Sequence, residues 1–197
     1  MSKFIVIEGP DRVGKATQTK LLKSYLLDRG FKVATFEVPL RSNFTYDLIY
    51  SMLNNGLAKK LPKLFQFLQY LNRQIFQWTE LSSIEKDYDY IIMDRWSLST
   101  IVYGNATGVP QDFTQNLYNK LKLPDYTIVL VGKSHEHKPE DDYESDNSLQ
   151  TKVRELYSQW ALQFPGRSSL IDCSATRQSI LENIVEDLLE AGIVQKE

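Results

Sequence analysis

The chain carries one cysteine, Cys173, in 197 residues. A single thiol cannot close an internal disulfide, which excludes the stapled scaffolds of small secreted domains and fits a reducing compartment. Cys173 follows a short strand-like stretch, so packing accounts for it better than catalysis does. Charge of one sign is also lacking: the formal net charge is −2, too small to draw the protein to nucleic acid or to an anionic membrane. Histidine is scarce. His135 and His137 flank Glu136, but two imidazoles without a third ligand at defined spacing do not make a metal site. No apolar run reaches the length of a membrane span, and no signal or transit pattern is present. A cytoplasmic location is the default expectation. No repeat or low-complexity tract divides the chain, and its length suits one domain over residues 1–197.

What is there begins near the start. Phe4-Ile5-Val6-Ile7 is followed by Gly9-Pro10-Asp11-Arg12-Val13-Gly14-Lys15-Ala16-Thr17, and an amphipathic run opens behind it. Strand, glycine-bearing turn, lysine and helix form a phosphate-cradling loop. The glycines let the backbone curl so that several N–H groups face one anion, and the helix start adds partial positive charge. Lys15 neutralises the outer phosphates as a point charge. A nucleoside triphosphate, ATP, is the expected ligand. The pattern asks for Ser or Thr directly after the lysine as a Mg²⁺ ligand. This chain has Ala16 there and a hydroxyl one place later, on Thr17, so Mg²⁺ would lean on phosphate oxygens, water and a carboxylate elsewhere.

Nearly continuous apolar runs at 4–8, 32–36, 90–93, 126–131 and 168–171 predict strands buried on both faces. Helical patterns separate them at 15–28, 46–54, 63–85, 111–121, 149–162 and 178–191, with Gly30 as a C-cap and Ser174 or Thr176 as an N-cap. Alternation of this kind predicts an α/β fold, a three-layer arrangement with a five-stranded, mainly parallel sheet covered by helices on both faces. Ligands then bind outside the C-terminal strand ends. The polar segment 133–147 lies on that side and reads either as a short lid or as a plain solvated loop.

Asp94-Arg95 directly follows Ile91-Ile92-Met93. A carboxylate at a strand end is the expected second half of a phosphate site, holding Mg²⁺ directly or through water, and the Arg95 fork suits a second phosphate. The alternative is an Asp–Arg pair bracing a turn. Within the first loop, Arg12 either folds over a transferring phosphoryl group or faces solvent with Asp11. The aromatic run Phe65, Phe67, Tyr70, Phe76 and Trp78 around Asn72-Arg73 suits a core more readily than a base-stacking surface.

Taken together, these residues resemble the thymidylate kinases of the P-loop nucleoside monophosphate kinase group. The carriers are Glu8 to Gln18, Pro39-Leu40-Arg41-Ser42, Asn72-Arg73, Asp94-Arg95-Trp96-Ser97, and Tyr143-Glu144 with Gln150 after it. The resemblance implies transfer of the ATP γ-phosphoryl group to a pyrimidine deoxynucleoside monophosphate, dTMP first. It implies that Lys15 and the loop backbone hold the ATP phosphates and that Thr17 touches the α-phosphate. Asp11 would orient the acceptor sugar, Arg41 and Arg95 would bind the acceptor monophosphate, and Arg73 would meet the pyrimidine. Asp94 would organise Mg²⁺, and Tyr143 would pack near the deoxyribose, with Gln150 also on the substrate side. Arg12, with no arginine in 133–147, matches the type whose catalytic arginine lies in the phosphate loop. A homodimer through helices is implied as well.

Three positions depart from the family pattern. Gln69 stands where an aromatic residue stacks on thymine, a contact worth about 1–3 kcal/mol; Phe65 or Tyr70 would have to supply the ring. Trp96 replaces a tyrosine in the expected substrate set, and Ala16 replaces the hydroxyl. They leave open a kinase for a modified deoxyuridine monophosphate, such as the 5-hydroxymethyl form, or a nucleotide-binding homologue without catalysis. A deoxynucleoside kinase fits less well, because Pro39-Leu40-Arg41 offers a cation where that chemistry needs a carboxylate base.

Overall fold

The computed structural model describes residues 2–132, 143–164 and 166–195. Five strands form one sheet: β1 (Lys3–Glu8), β2 (Val33–Glu37), β3 (Tyr90–Asp94), β4 (Tyr126–Val131) and β5 (Ser168–Asp172). Their order is β2-β3-β1-β4-β5 and every pairing is parallel. The expected strands are all present within one residue or so of their ends, and the α/β class holds.

Side chains alternate across the sheet, and this alternation makes the layers. Ile5, Ile7, Ile92, Ile128 and Leu130 face α1 (Lys15–Leu27) and a C-terminal helix at Arg177–Glu190. Phe4, Val6, Ile91 and Met93 face the opposite way, as does Val129. On that second side lie α2 (Thr45–Asn54), α3 (Leu57–Lys60), α4 (Pro62–Phe76), α5 (Ser82–Asp87), α6 (Ser97–Ala106), α7 (Gln111–Tyr118) and α8 (Asn147–Gln163), which makes the C-terminal helix α9. Thr176 caps α9 by accepting from the Ser179 N–H at 3.2 Å. Among the described residues no helix is long and apolar enough to cross a membrane.

The helices depart from expectation. The stretch expected as one helix over 63–85 is helical throughout but not uniform: α4 ends at Phe76, a π-helical turn spans Gln77–Leu81, and α5 follows. The helices α3 and α6 were not expected at all. Every residue from Ser97 to Gly104 is buried, so the segment has no polar face and none of the periodicity by which an amphipathic helix is recognised. The 133–142 part of the expected lid, with His135, Glu136 and His137, lies outside the described residues. Residues 143–145 form a turn that leads into α8.

Candidate active site

The loop after β1 wraps the start of α1. Gly9 lies so close to β4 that a Cβ there would come 2.3 Å from the Leu130 carbonyl oxygen; no side chain fits, and the tight approach pins the loop to the sheet. Gly14 caps α1 at φ 92°, a left-handed conformation open to glycine. The non-glycine Arg12 and Arg95 share that region, at φ 62° and 69°. Such conformations persist where surrounding bonds over-determine them.

For Arg95 those bonds are visible. Its N–H donates to the Ile7 carbonyl at 2.9 Å. The next N–H, that of Trp96, donates to Glu8 Oε1 at 2.8 Å. Glu8 is wholly buried at the end of β1. Its carboxylate also accepts from the Ser99 N–H at 3.2 Å, the Ser99 hydroxyl at 2.6 Å and the Tyr157 hydroxyl at 2.9 Å. One strand-end carboxylate therefore caps α6 and ties it to α8, where a buried anion is tolerated because every lone pair has a donor.

Above this hub the charged side chains interlock. Arg95 pairs with Asp11 through Nη2 and donates through Nη1 to the Gly9 carbonyl at 3.0 Å. Tyr103 donates its hydroxyl to Asp11 Oδ2 at 2.8 Å. Gln150, from α8, clamps the same residue: its Nε2 donates to Asp11 Oδ2 at 2.6 Å and its Oε1 accepts the Asp11 N–H at 3.2 Å. Lys15 folds back onto the Pro10 carbonyl at 2.6 Å. Arg12 donates to the Glu144 carbonyl at 3.1 Å, joining the loop to the turn before α8.

Burial sets the direction of the shift for Lys15 and Asp94, and charge pairing sets it for Asp11. Burial lowers the Lys15 ammonium to about 8, Arg95 adding to the effect while Asp94, Asp11 and Glu8 oppose it. Burial likewise raises Asp94, against the pull of Lys15 and Arg95. Asp11 is pushed up by burial, yet Arg95 and Lys15, with the Tyr103 and Gln150 hydrogen bonds, hold it below the usual carboxylate range.

These groups open onto one cavity of about 770 Å³. The loop from Asp11 to Thr17 forms one wall, with Asp94, Arg95, Tyr103 and Tyr143 beside it. Its far floor is α4, which presents Phe65, Gln66, Gln69 and Arg73. Arg73 is 2 % exposed; its Nη1 donates to the Gln69 carbonyl at 2.6 Å and to Gln69 Oε1 at 3.2 Å, while its Nε has no partner. Burial lowers it to about 10. Neighbouring Asn72 holds the loop after β2: Nδ2 donates to the Leu40 carbonyl at 3.0 Å, and Oδ1 accepts the Leu40 N–H at 2.7 Å.

The structure brings together most, but not all, of the residues singled out in the sequence. Gly9 and Pro10 stand behind the cavity wall and act through their carbonyls. Gln150 reaches the site through Asp11. Trp96 must be corrected: it is fully buried away from the cavity, edge-on to Phe4 at 5.5 Å, with its indole N–H on the Lys122 carbonyl at 2.9 Å. At the end of β3 the Arg95 guanidinium thus faces the cavity while the adjacent indole packs in the core. Arg41 is exposed, 5.5 Å over the Tyr46 ring, and does not line the cavity. Of the two rings offered in place of Gln69, Phe65 lines the cavity, whereas Tyr70 is buried elsewhere with its hydroxyl on Gln74 Oε1 at 2.8 Å. Glu8, Ser99, Gln66 and Tyr103 were missed. An acid closing an apolar strand was the available signal for Glu8.

Mg²⁺ can be tested against these groups. Among the described residues no three acids, histidines or cysteines converge as a metal cage. Glu8 has its lone pairs engaged, and Asp11 is held by Arg95, Tyr103 and Gln150. Asp94 lines the cavity, and its carboxylate makes no hydrogen bond to the described residues. One free carboxylate beside a phosphate cradle fits Mg²⁺, which keeps several waters and takes the remainder from substrate phosphates.

The model of the family described as thymidylate kinase matches residues 7–184. A probable thymidylate kinase of Saccharolobus solfataricus is 31 % identical over 192 residues, covering 94 % of this chain and 96 % of its own. A thymidylate kinase of Nitrosomonas europaea is 28 % identical over 201 residues, with 94 % and 93 % covered. Among solved structures, the thymidylate kinase of Candida albicans superposes with a TM-score of 0.75 at 22 % identity, covering all of this chain and 96 % of that one. That of Ehrlichia chaffeensis gives 0.76 at 21 % identity, with 95 % and 98 % covered. At such identities the two structures speak for the fold.

Proposed function

Because the chain belongs to the thymidylate kinase family, we propose that its cavity transfers the γ-phosphoryl group of ATP to dTMP, giving dTDP for deoxynucleotide synthesis. One observation carries the assignment: the phosphate loop, Asp94, Arg95 and a buried arginine on α4 line a single cavity. Phosphate binding and base binding are thus within one nucleotide's reach of each other.

The loop N–H groups and the start of α1 cradle the ATP phosphates, with Thr17 nearby on the same wall. Lys15 swings from the Pro10 carbonyl to the outer phosphates, and their charge restores its proton affinity. Arg95 exchanges Asp11 for the acceptor phosphate, which frees the Asp11 carboxylate for the acceptor's sugar hydroxyl. Arg41 swings in from the rim to the same phosphate. Tyr103 and Tyr143 stack at 6.1 Å and 10° and form a flat wall beside the sugar, leaving little space for a ribose hydroxyl. Phe65 supplies the ring that Gln69 lacks, and Arg73 reads the base. Asp94 would hold Mg²⁺, directly or through water, and the ion would supply charge neutralisation to the phosphates. Arg12 places its guanidinium on the transferring group, where charge develops in the transition state. No protein nucleophile is needed; positioning and electrostatics suffice.

A second copy of the chain is the proposed partner. Leu48, Leu57, Leu61, Leu64 and Phe67 leave an apolar exposed surface on α2 to α4, and light scattering checks the mass. Nucleic acid and membrane are not partners in this reading, which fits a cytoplasmic enzyme.

Release of ADP from MgATP tests the function, across dTMP, dUMP, 5-hydroxymethyl-dUMP, dCMP, dGMP, UMP and thymidine. Turnover led by dTMP is expected. A lead by another monophosphate would move the specificity, and silence with ATP still bound would sink the kinase reading.

A further inference from the structure

Four cavity residues lie along one stripe of α4. Phe65, Gln66, Gln69 and Arg73 follow the spacing by which side chains share a helix face. Arg73 leans back over the preceding turn, as its bonds to Gln69 require, in the direction that long helical side chains favour. Its guanidinium is thereby carried toward the level of Gln66.

Gln66 is 2 % exposed, and its Nε2 has no hydrogen-bond partner. Buried amide donors are nearly always paired, because leaving one dry and unbonded costs free energy. Arg73 Nε is the other unpartnered donor on the stripe. Two residues that line one cavity from one helix face, beside the ring of Phe65, thus each carry a buried N–H donor that the protein leaves unsatisfied.

We propose that Gln66 is a specificity-determining residue for the acceptor, donating from Nε2 to a carbonyl oxygen of a 2,4-dioxopyrimidine base. This deepens the dTMP reading and rests on it. The two orphan donors, Gln66 Nε2 and Arg73 Nε, match the two carbonyl acceptors of such a base. An apolar substitute at position 66 would suit the empty cavity better, so the amide is explained by what the cavity binds.

Gln66→Met keeps an unbranched side chain of similar length and removes the donor. The KM for dTMP should rise about three- to tenfold, the loss of one neutral hydrogen bond. The KM for ATP and kcat should move less than twofold. Thermal stability should hold or rise, because a buried unpaired donor has gone. An unchanged KM for dTMP with raised stability would make Gln66 a misfit of the core and overturn the proposal. If the methionine variant does not fold, Gln66→Glu keeps the shape and carries the same test. There the KM for dTMP should rise more than tenfold, and an unchanged value again overturns it. Wild-type protein with no dTMP turnover would instead defeat the parent reading, so the two failures are distinguishable.

Discussion

The two ends of the cavity hold their polar groups in opposite states. At the phosphate end the charges other than Asp94 are already bonded within the protein: Arg95 to Asp11 and Gly9, Lys15 to Pro10, and Glu8 to four donors. At the floor beneath α4, Arg73 Nε and Gln66 Nε2 are buried with nothing to bond. Substrate must exchange bonds at the first end and supply them at the second. Substitutions at the phosphate end should therefore harm stability and turnover together, whereas those at the floor should harm affinity alone.

The largest effect is expected from Arg12→Ala. Turnover should fall about a thousandfold or more, in the range of a catalytic arginine, with ATP affinity nearly intact by calorimetry. Unchanged turnover would remove Arg12 from the transition state. Next comes Glu8→Ala, which strands the N–H groups of Trp96 and Ser99 and leaves a cavity. A loss of about 3 kcal/mol in denaturant unfolding is expected, together with lost turnover as Arg95 relaxes from its left-handed conformation. A cost below about 1 kcal/mol would mean that the α6 cap is not a hub.

Arg73→Met should sharpen the contrast. The KM for dTMP should rise about thirtyfold from the lost charged hydrogen bond, while the midpoint of unfolding holds or climbs. A clear drop in stability would show the floor to be as interlocked as the phosphate end. The mildest effect concerns pH. Lys15 titrates at about 8 in the free protein, and its charge favours the ATP phosphates. The kcat/KM for ATP should thus fall above pH 8, by at most tenfold per unit, with kcat shifted to higher pH because bound phosphate stabilises the ammonium. The stability term has the opposite sign. A lysine depressed from 10.5 binds fewer protons folded than unfolded between pH 8 and 10.5, so this group's contribution favours the folded state increasingly across that window.

Much of this was legible in the sequence, for definite reasons. Strands buried on both faces announce themselves as apolar runs, and a lysine after a glycine turn leaves little choice of fold. Asp94, Arg95 and the loop from Asp11 to Thr17 could be placed because strand ends point to one edge. What escaped was whatever lacked contrast. The helix α6 is buried on all sides, so its pattern gives no period, and with it went Ser99 and Tyr103. Trp96 was misplaced because the resemblance carried it over together with Asp94 and Arg95, whereas its indole packs in the core against Phe4. Gln66 was hidden because a glutamine between two phenylalanines gives no hint that it will be buried unpaired.

The strand that comes first in the chain is the middle of the sheet. β1 pairs with β3 through Lys3 and Tyr90, and with β4 through Ile5 and Tyr126. Its loop is seated only when the Leu130 carbonyl lies under Gly9. During translation the phosphate cradle is made early and finished late, since its second flank leaves the ribosome only after most of the chain has been synthesised. Nascent chains halted before β4 should accordingly fail to retain ATP-agarose, and those halted well beyond it should bind. Such distant pairing also favours slow folding, so the nucleotide site doubles as a checkpoint on assembly: a chain that holds ATP has already seated β4 against β1.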